Sequence, residues 1–579
     1  MASSRYRSEV RPLVKRLKQL PISSSSARAN TIATKIAPLI TSEATFQELT
    51  IDPFLLPADS WNISNSIVSR ALGALKDVQE LLSVDDPGRS ALRDPVQRCL
   101  DRIWFPLVAW IEFFVPCSGY IDVRSEAYEH VEAVLYLLLE LVRQKNTFSH
   151  LLSQTPQLYG RIMWLWLHVP EYLPGDADQQ LRCHVVWNSI LVGAVTKTIA
   201  RNSSGYGVES NESEDRYASS QAIAGVHHTP RQIYRLAIRS ARQMIYNVND
   251  HGLTYSSEAF GLMERHLALV NDLVVYVLRI DNHARDVVAD LVHLARSLEA
   301  RASSLMAAGR ACSVLCEIWM SASSNRPLVW ALRDGVFPVL INVSRRLSHD
   351  AGWRYLMGGY LCKVAARTAH APVLRAYMAH KGRASLRTAG CLAEKALGAL
   401  DSLNATRMAW YKALFPRKCA ADGCTRKDRI NLRQCKCKTV YYCSVDCQAD
   451  HWTNGHRDNC PYSKRGMLRY PTIIEDASYL SHRDARFLML LANDLVFKVD
   501  VKEVLSKVTR MRHTQPSGTK RDVFEVAADF SDMPLESPEV KYVDEDSAFE
   551  QREDEPTIII TATLCPLPER SKTPARIIA

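Results

Sequence analysis

Seven cysteines and one histidine crowd into residues 419–460: Cys419, Cys424, Cys435, Cys437, Cys443, Cys447, His456 and Cys460. A segment this short buries too little apolar surface to fold by itself. The side chains name the missing source of stability. Thiolate and imidazole are zinc ligands, and zinc takes four of them in a tetrahedron. Eight candidate ligands therefore match two Zn²⁺ ions and leave no open coordination position. That predicts a structural metal rather than a catalytic one. Structural zinc contributes on the order of 10–16 kcal/mol in finger peptides, enough to order such a segment. Disulfides suit the cluster poorly, because seven is an odd number. No secretory signal is recognised either, so a reducing compartment, cytoplasm or nucleus, is expected. His451, four residues after Cys447, is a second candidate for the histidine ligand.

The neighbourhood is cationic. Eleven Lys or Arg stand against five Asp between residues 417 and 465. Such neighbours help keep thiols deprotonated. The run CKTVYYCSVDCQADHW, residues 437–452, carries more than ligands. It has a short Val-Tyr-Tyr strand, a Cys-x₃-Cys-Gln step and then a tryptophan. In that order it resembles the MYND zinc finger. The resemblance implies interleaved sites. One ion would be held by Cys419, Cys424, Cys443 and Cys447. The other would be held by Cys435, Cys437, His456 and Cys460, which favours His456 over His451. Two departures stand out. Only Lys436 separates Cys435 from Cys437, where the family usually has two residues. Three residues rather than two separate Trp452 from His456, and Gly455 is placed to absorb the extra length.

The resemblance also implies a role. MYND fingers serve as protein-interaction modules, often for short proline-containing peptides. The corresponding groove residues here are Gln448 and Trp452, at i and i+4 on one helix face. Tyr441 on the preceding strand offers an edge to an extended peptide. Binding of nucleic acid is the alternative. Arg417, Lys418, Arg426, Lys427, Arg429, Arg433, Lys436 and Lys438 cluster near the finger and could meet phosphates. No base-reading helix is evident beside them. The Asn-His-Ser-Cys element of MYND-type lysine methyltransferases is absent, and so is any phosphate-binding glycine motif. An enzyme hidden in the helical region is the third and weakest reading.

The rest of the chain reads as mainly α. With 47% hydrophobic and 23% charged residues it is an ordinary globular composition, and a net charge of +10 over 579 residues is mild. From residue 5 to about 410, apolar residues recur at three and four. Val10, Leu13, Val14 and Leu17 do so, as do Val131, Val134, Leu135, Leu138 and Val142. The basic first stretch, free of acids between Glu9 and Glu43, reads as a helix rather than an organelle presequence. Residues 103–115 are apolar but too short to span a membrane, and Glu112 interrupts them, so no membrane partner is expected. Residues 330–347 look like one armadillo or HEAT-type repeat: helix, glycine turn, helix. An irregular α-solenoid is favoured over a helical bundle for residues 1–410. Residues 202–228 are expected as a polar, disordered loop, and no metal role is assigned to His227 or His228 at its end. Scattered cysteines such as Cys312 and Cys316 are expected as core hydrophobes.

After the finger, residues 465–579 predict a small α+β tail. Ala485, Leu488, Leu490, Leu491, Leu495 and Val496 would form a helix face. Val523 to Phe530 and Thr557 to Leu564 are the strand candidates, with an acidic disordered loop between them over 532–556. The whole layout resembles that of MYND-type proteins of mushroom-forming fungi with a long helical region before the finger. Together these features predict a zinc-binding scaffold or adaptor that meets a protein partner through a short peptide.

Overall fold

The computed structural model of the chain describes residues 6–20, 26–84, 92–121 and 129–415, with gaps at 146, 174–176, 200–211, 251–255, 278–283, 323 and 381–391. It then describes 418–424, 432–437, 440–460, scattered positions from 487 to 510, and strands at 523–530, 539–542 and 557–564. These residues fall into two compact units, Met1–Leu278 and Arg279–Ala579. The helical stretch expected as one region over 1–410 is thus divided between them.

The first unit holds α1 (Arg11–Lys18), α2 (Ser26–Ile40), α3 (Ser66–Leu82), α4 (Arg93–Phe114), α5 (Glu129–Arg143), α6 (Ser149–Gln154), α7 (Gln157–Leu167), α8 (Ala177–Ile199), α9 (Glu212–Gly225), α10 (Pro230–Asp250) and α11 (Ser256–Asp272). The second holds α12 (Arg285–Glu299), α13 (Leu305–Ser321), α14 (Arg326–Arg333), α15 (Val336–Arg346), α16 (Ala351–Arg367), α17 (Ala371–His380) and α18 (Leu392–Leu414). The protein is mainly α, as its apolar periodicity predicts. Val131, Val134, Leu135, Leu138 and Val142 are all buried, so the three-and-four spacing does mark the inner face of α5. Residues 103–114 lie in α4, which buries Trp104, Trp110, Phe113 and Phe114, and Val115 follows its end. No described helix is long and apolar enough to cross a membrane. In the second unit, α14 and α15 form the expected pair about Gly335, whose φ of +82° is the left-handed turn that favours glycine.

Residues 202–228 correct an expectation. Part of the stretch is α9 rather than loop; residues 202–211 lie outside the described residues. Small apolar residues, not large ones, carry the helix. Ala218, Ala222 and Val226 repeat every four positions and are buried. Helix α9 packs on α7, and the two backbones nearly touch: a Cβ added at Gly160 would stand 2.7 Å from Gly225 Cα. Gly160→Ala should therefore push α9 off α7 and cost about 1–3 kcal/mol, as overpacking does. A thermal melt would show it as a drop of several degrees; an unchanged melt would mean the crossing is looser than described.

The core of the first unit contains a polar island. Trp166 Nε1–H donates to His266 Nδ1 at 3.2 Å, and His266 Nε2 lies 2.9 Å from the Ala237 carbonyl. His184 Nε2 lies 3.4 Å from Ser240 Oγ. Four of the scattered cysteines behave as core residues, while Cys362 is half-buried. Cys99, Cys183, Cys312 and Cys316 are buried and unpaired. Burial pushes the Cys99 thiol up to about 11 and the Cys312 thiol up to about 12, so both are neutral.

In the tail, Phe487, Leu488 and Leu491 pack with Tyr411 of α18, Phe415 just after it and Leu374 of α17. Leu488 and Leu491 belong to the predicted face; Phe487 was not foreseen, and Ala485, Leu495 and Val496 lie outside the described residues. The two predicted strands pair in parallel, Val523 with Thr557 through Phe530 with Leu564. A third strand, Glu539–Tyr542, pairs antiparallel with the first. It falls inside the stretch expected as an acidic loop. Only four residues long and half charged, it carries too little alternation to stand out in the sequence; residues 532–538 and 543–556 lie outside the described residues.

Candidate metal centre

The local folding of 419–460 starts with two turns and a cap. Gly423, at φ +74°, turns the chain between Cys419 and Cys424. Strands β1 (Arg433–Gln434) and β2 (Tyr441–Tyr442) pair antiparallel, Arg433 with Tyr442 and Gln434 with Tyr441. The Cys435 N–H donates to the Val440 carbonyl at 3.0 Å, closing the tight hairpin that carries Cys435 and Cys437. Helix α19 (Val445–His451) follows, capped by Ser444, whose Oγ accepts from the Cys447 N–H at 3.1 Å. Each of these devices sets one or two sulfurs.

The sulfurs converge in two groups. In one, Cys419, Cys424, Cys443 and Cys447 place their ligand atoms within 4.8 Å of one another; in the other, Cys435, Cys437, His456 and Cys460 do the same. Zn–S bonds of about 2.3 Å put two sulfurs of a tetrahedron about 3.8 Å apart, and a sulfur and an imidazole nitrogen about 3.5 Å apart. The separations agree. Cys424 Sγ lies 3.4 Å from Cys443 Sγ and 3.8 Å from Cys447 Sγ. Cys435 and Cys460 sulfurs are 4.0 Å apart, and His456 Nε2 stands 3.5 Å from Cys437 Sγ and 3.2 Å from Cys435 Sγ. The single-residue spacing of Cys435 and Cys437 is accommodated by the hairpin. The donor set fits two Zn²⁺ ions, each fully ligated by protein.

The sites interleave, and residues 419–460 match the family model for the MYND finger. This segment is a MYND finger. No curated protein matches the chain.

Between the thiols of the MYND finger, charge is the governing problem. Four sulfurs in contact cannot all be thiolates without a cation. Hydrogen bonds with Cys424 and Cys447 push Cys443 up to about 12. Burial, and then the neighbouring Cys437 and Cys460, do the same to Cys435, to about 12. A metal ion inverts this logic, and its arrival must release those protons.

The finger also settles which histidine is the ligand. His456 is buried in the second group, while His451 Nδ1 lies 3.0 Å from the Tyr442 hydroxyl. The two imidazoles stack, centroids 5.3 Å apart. Gly455 makes this possible. Its φ of +136° breaks the helix after Trp452 and swings His456 toward Cys435 and Cys437. The extra residue between Trp452 and His456 is taken up there, as the sequence suggested.

Gln448 and Trp452 are half-buried on α19 and its end, and Trp452 packs its inner side on the cysteine core. Val445, three residues before Gln448, is 55% exposed. It was not singled out from the sequence, though its i, i+3, i+7 relation to Gln448 and Trp452 could have found it. Tyr441 needs a correction. Its carbonyl accepts from the Ala420 N–H at 2.8 Å, and Cys419 bridges it in parallel. With β1 on the other side, the edge of β2 at Tyr441 is already taken. Of the predicted basic patch, Lys418, Arg433 and Lys436 are exposed; Arg417, Arg426, Lys427, Arg429 and Lys438 lie outside the described residues.

Proposed function

We propose that the protein is a non-enzymatic adaptor, ordered by zinc, that receives a short proline-containing peptide on the outer face of α19. The observation that carries this reading is an apolar pair, Val445 at 55% exposed and Trp452 half-buried, flanking the amide of Gln448 on one helix face. A valine so exposed in an otherwise polar helix suits a partner's apolar side chain, and tryptophan is the residue most often found as an interface anchor. Proline-containing segments lose little entropy on docking because they are already extended. Tyr441 offers its ring rather than its strand edge, which is occupied. Two four-ligand sites leave no position for substrate, which supports a role in binding rather than catalysis. The helices of both units would serve as the scaffold, and the unpaired buried thiols favour a reducing, intracellular setting.

Contact with nucleic acid is the second reading, supported by exposed Lys418, Arg433 and Lys436. The two differ in salt dependence. Phosphate binding weakens steeply between 50 and 200 mM salt, by about 10³-fold or more for several contacts. A pull-down comparing wild type with Trp452→Ala separates them. Peptide capture should fall at least tenfold in the variant and persist at high salt. Capture that survives Trp452→Ala and vanishes with salt would reverse the assignment.

A further inference from the structure

Outside the finger, the first unit brings two histidines together from distant parts of the chain. His168 Nε2 and His228 Nε2 stand 3.2 Å apart. The two residues are set by different devices. His168 ends α7 and starts a short 3-10 turn, Val169–Glu171. His228 follows His227, whose φ of +51° places it in the left-handed region. It also precedes Thr229, where a reciprocal cap starts α10: the Thr229 N–H donates to Gln232 Oε1 at 2.8 Å, and the Gln232 N–H donates to Thr229 Oγ1 at 3.4 Å. The Gly160–Gly225 crossing seats α9 on α7 and so delivers this turn to His168.

The surroundings of His168 favour a ligand's role. Trp164 stacks on its ring, centroids 4.3 Å apart and planes 13° apart, which fixes the ring's orientation. A Glu171 carboxylate oxygen lies 3.0 Å from its Nδ1, the atom facing away from His228, at ion-pair distance but outside hydrogen-bond alignment, and Arg239 approaches that carboxylate at 3.8 Å. Glu171 is exposed, so a small turn of its side chain brings the carboxylate into line behind the ring nitrogen, the arrangement that orients metal-bound histidines and raises their basicity. The spacing is also right. With metal–nitrogen bonds of about 2.0–2.1 Å, nitrogens 3.2 Å apart subtend roughly 100° at the ion. That angle lies between those of octahedral and tetrahedral sites. A left-handed non-glycine residue beside the pair adds local strain of the kind found at ligand sites.

We propose that His168 and His228 form a second kind of metal site, a two-histidine site for a divalent transition ion such as Zn²⁺, with Glu171 orienting His168 and solvent completing the coordination. His228 is only half-buried, so the site is open to exchange, unlike those of the finger. It binds more weakly than a site with four protein ligands, and it has open positions.

The test uses the full, tag-free chain with both finger sites loaded and excess metal removed. Calorimetric titration with Zn²⁺ should show one further ion per chain. Elemental analysis after dialysis should still find two. His168→Ala and His228→Ala should each abolish the additional ion while leaving two zinc ions and the thermal melt intact. Glu171→Gln should weaken it by about 10- to 100-fold. If His168→Ala disturbs the end of α7, His228→Ala in the turn decides alone. No further ion in the wild type means the pair is a plain N–H···N hydrogen bond, and the proposal fails. It fails equally if the ion persists in both histidine variants.

Discussion

Chelating zinc from the protein should unfold residues 419–460 and leave the helical units folded. The reason is that the finger has almost no core of its own: Tyr442, Ala421 and the buried ligands are nearly all of it. Metal binding and folding are then one event, worth on the order of 10–16 kcal/mol. Limited proteolysis should cut the finger after chelation, while far-ultraviolet circular dichroism, dominated by α1–α18, changes little. Zinc added back should restore protection, with protons released into weak buffer. Cys443→Ser should give the chelated pattern even with zinc present, because it removes one corner of the first site and its helix-capping neighbour loses its place. A finger that resists protease without metal would end the structural account of these cysteines.

Acidification should destabilise both helical units well above the pH at which carboxylates usually titrate. His184 and His266 are fully buried, and His370 is buried almost completely. Burial pulls them down to about 3, about 4 and about 3, with neighbouring His266 adding to the effect on His184 and Arg367 to that on His370. In the unfolded chain each returns to about 6.5. Below that value the unfolded state binds protons that the folded state refuses, so stability falls as pH falls. The loss is about 1.4 kcal/mol per pH unit for each histidine, until the folded values are reached. His266 shows why the refusal is strong: its Nε2 faces the Ala237 carbonyl and its Nδ1 accepts from Trp166 at 3.2 Å, so a second ring proton would displace that bond with only Asn188 Oδ1, 3.4 Å away, to receive it. Asp77 and Glu112, raised by burial, titrate in the opposite sense, but they start from ordinary values of 3.8 and 4.5. Urea midpoints at pH 7.0 and 5.5 should therefore separate clearly. Equal midpoints would mean these histidines are protonated, or wetted, in the folded protein.

The finger was legible because its ligands are chemically scarce residue types at short separations. Eight ligands and two ions follow from composition and spacing. The special place of Gly455 and the preference for His456 over His451 came from the resemblance to the MYND finger, and the structure adds the backbone torsion at Gly455 that turns His456 inward. The mainly helical character was equally plain in residues such as Val131 to Val142. Helix α9 was not, because alanine and glycine bury little area and leave a weak pattern, yet they allow the closest packing. The His168–His228 pair could not be read at all. The two residues are 60 positions apart, and only the α7–α9 crossing makes them neighbours. The strand Glu539–Tyr542 was hidden for another reason: partner strands, not its own composition, decide its pairing.

The interleaving of the two sites governs the order of assembly. Closing the first, from Cys419 to Cys447, draws the chain into a loop that already contains Cys435 and Cys437. The first ion also fixes β2 and α19, the segments between Cys437 and His456, so fewer flexible residues remain to be ordered when the second ion arrives. The second zinc should bind more readily than the first, and a finger carrying one ion should be scarce. The same coupling runs in reverse. Cys424, Cys443 and Cys447 are partly exposed, whereas all four ligands of the other group are buried. An oxidant or chelator will reach the exposed group first, and its loss releases the sheltered ion as well. The finger therefore behaves as a single fuse: one accessible corner sets the fate of both metals and of the α19 face they hold in place.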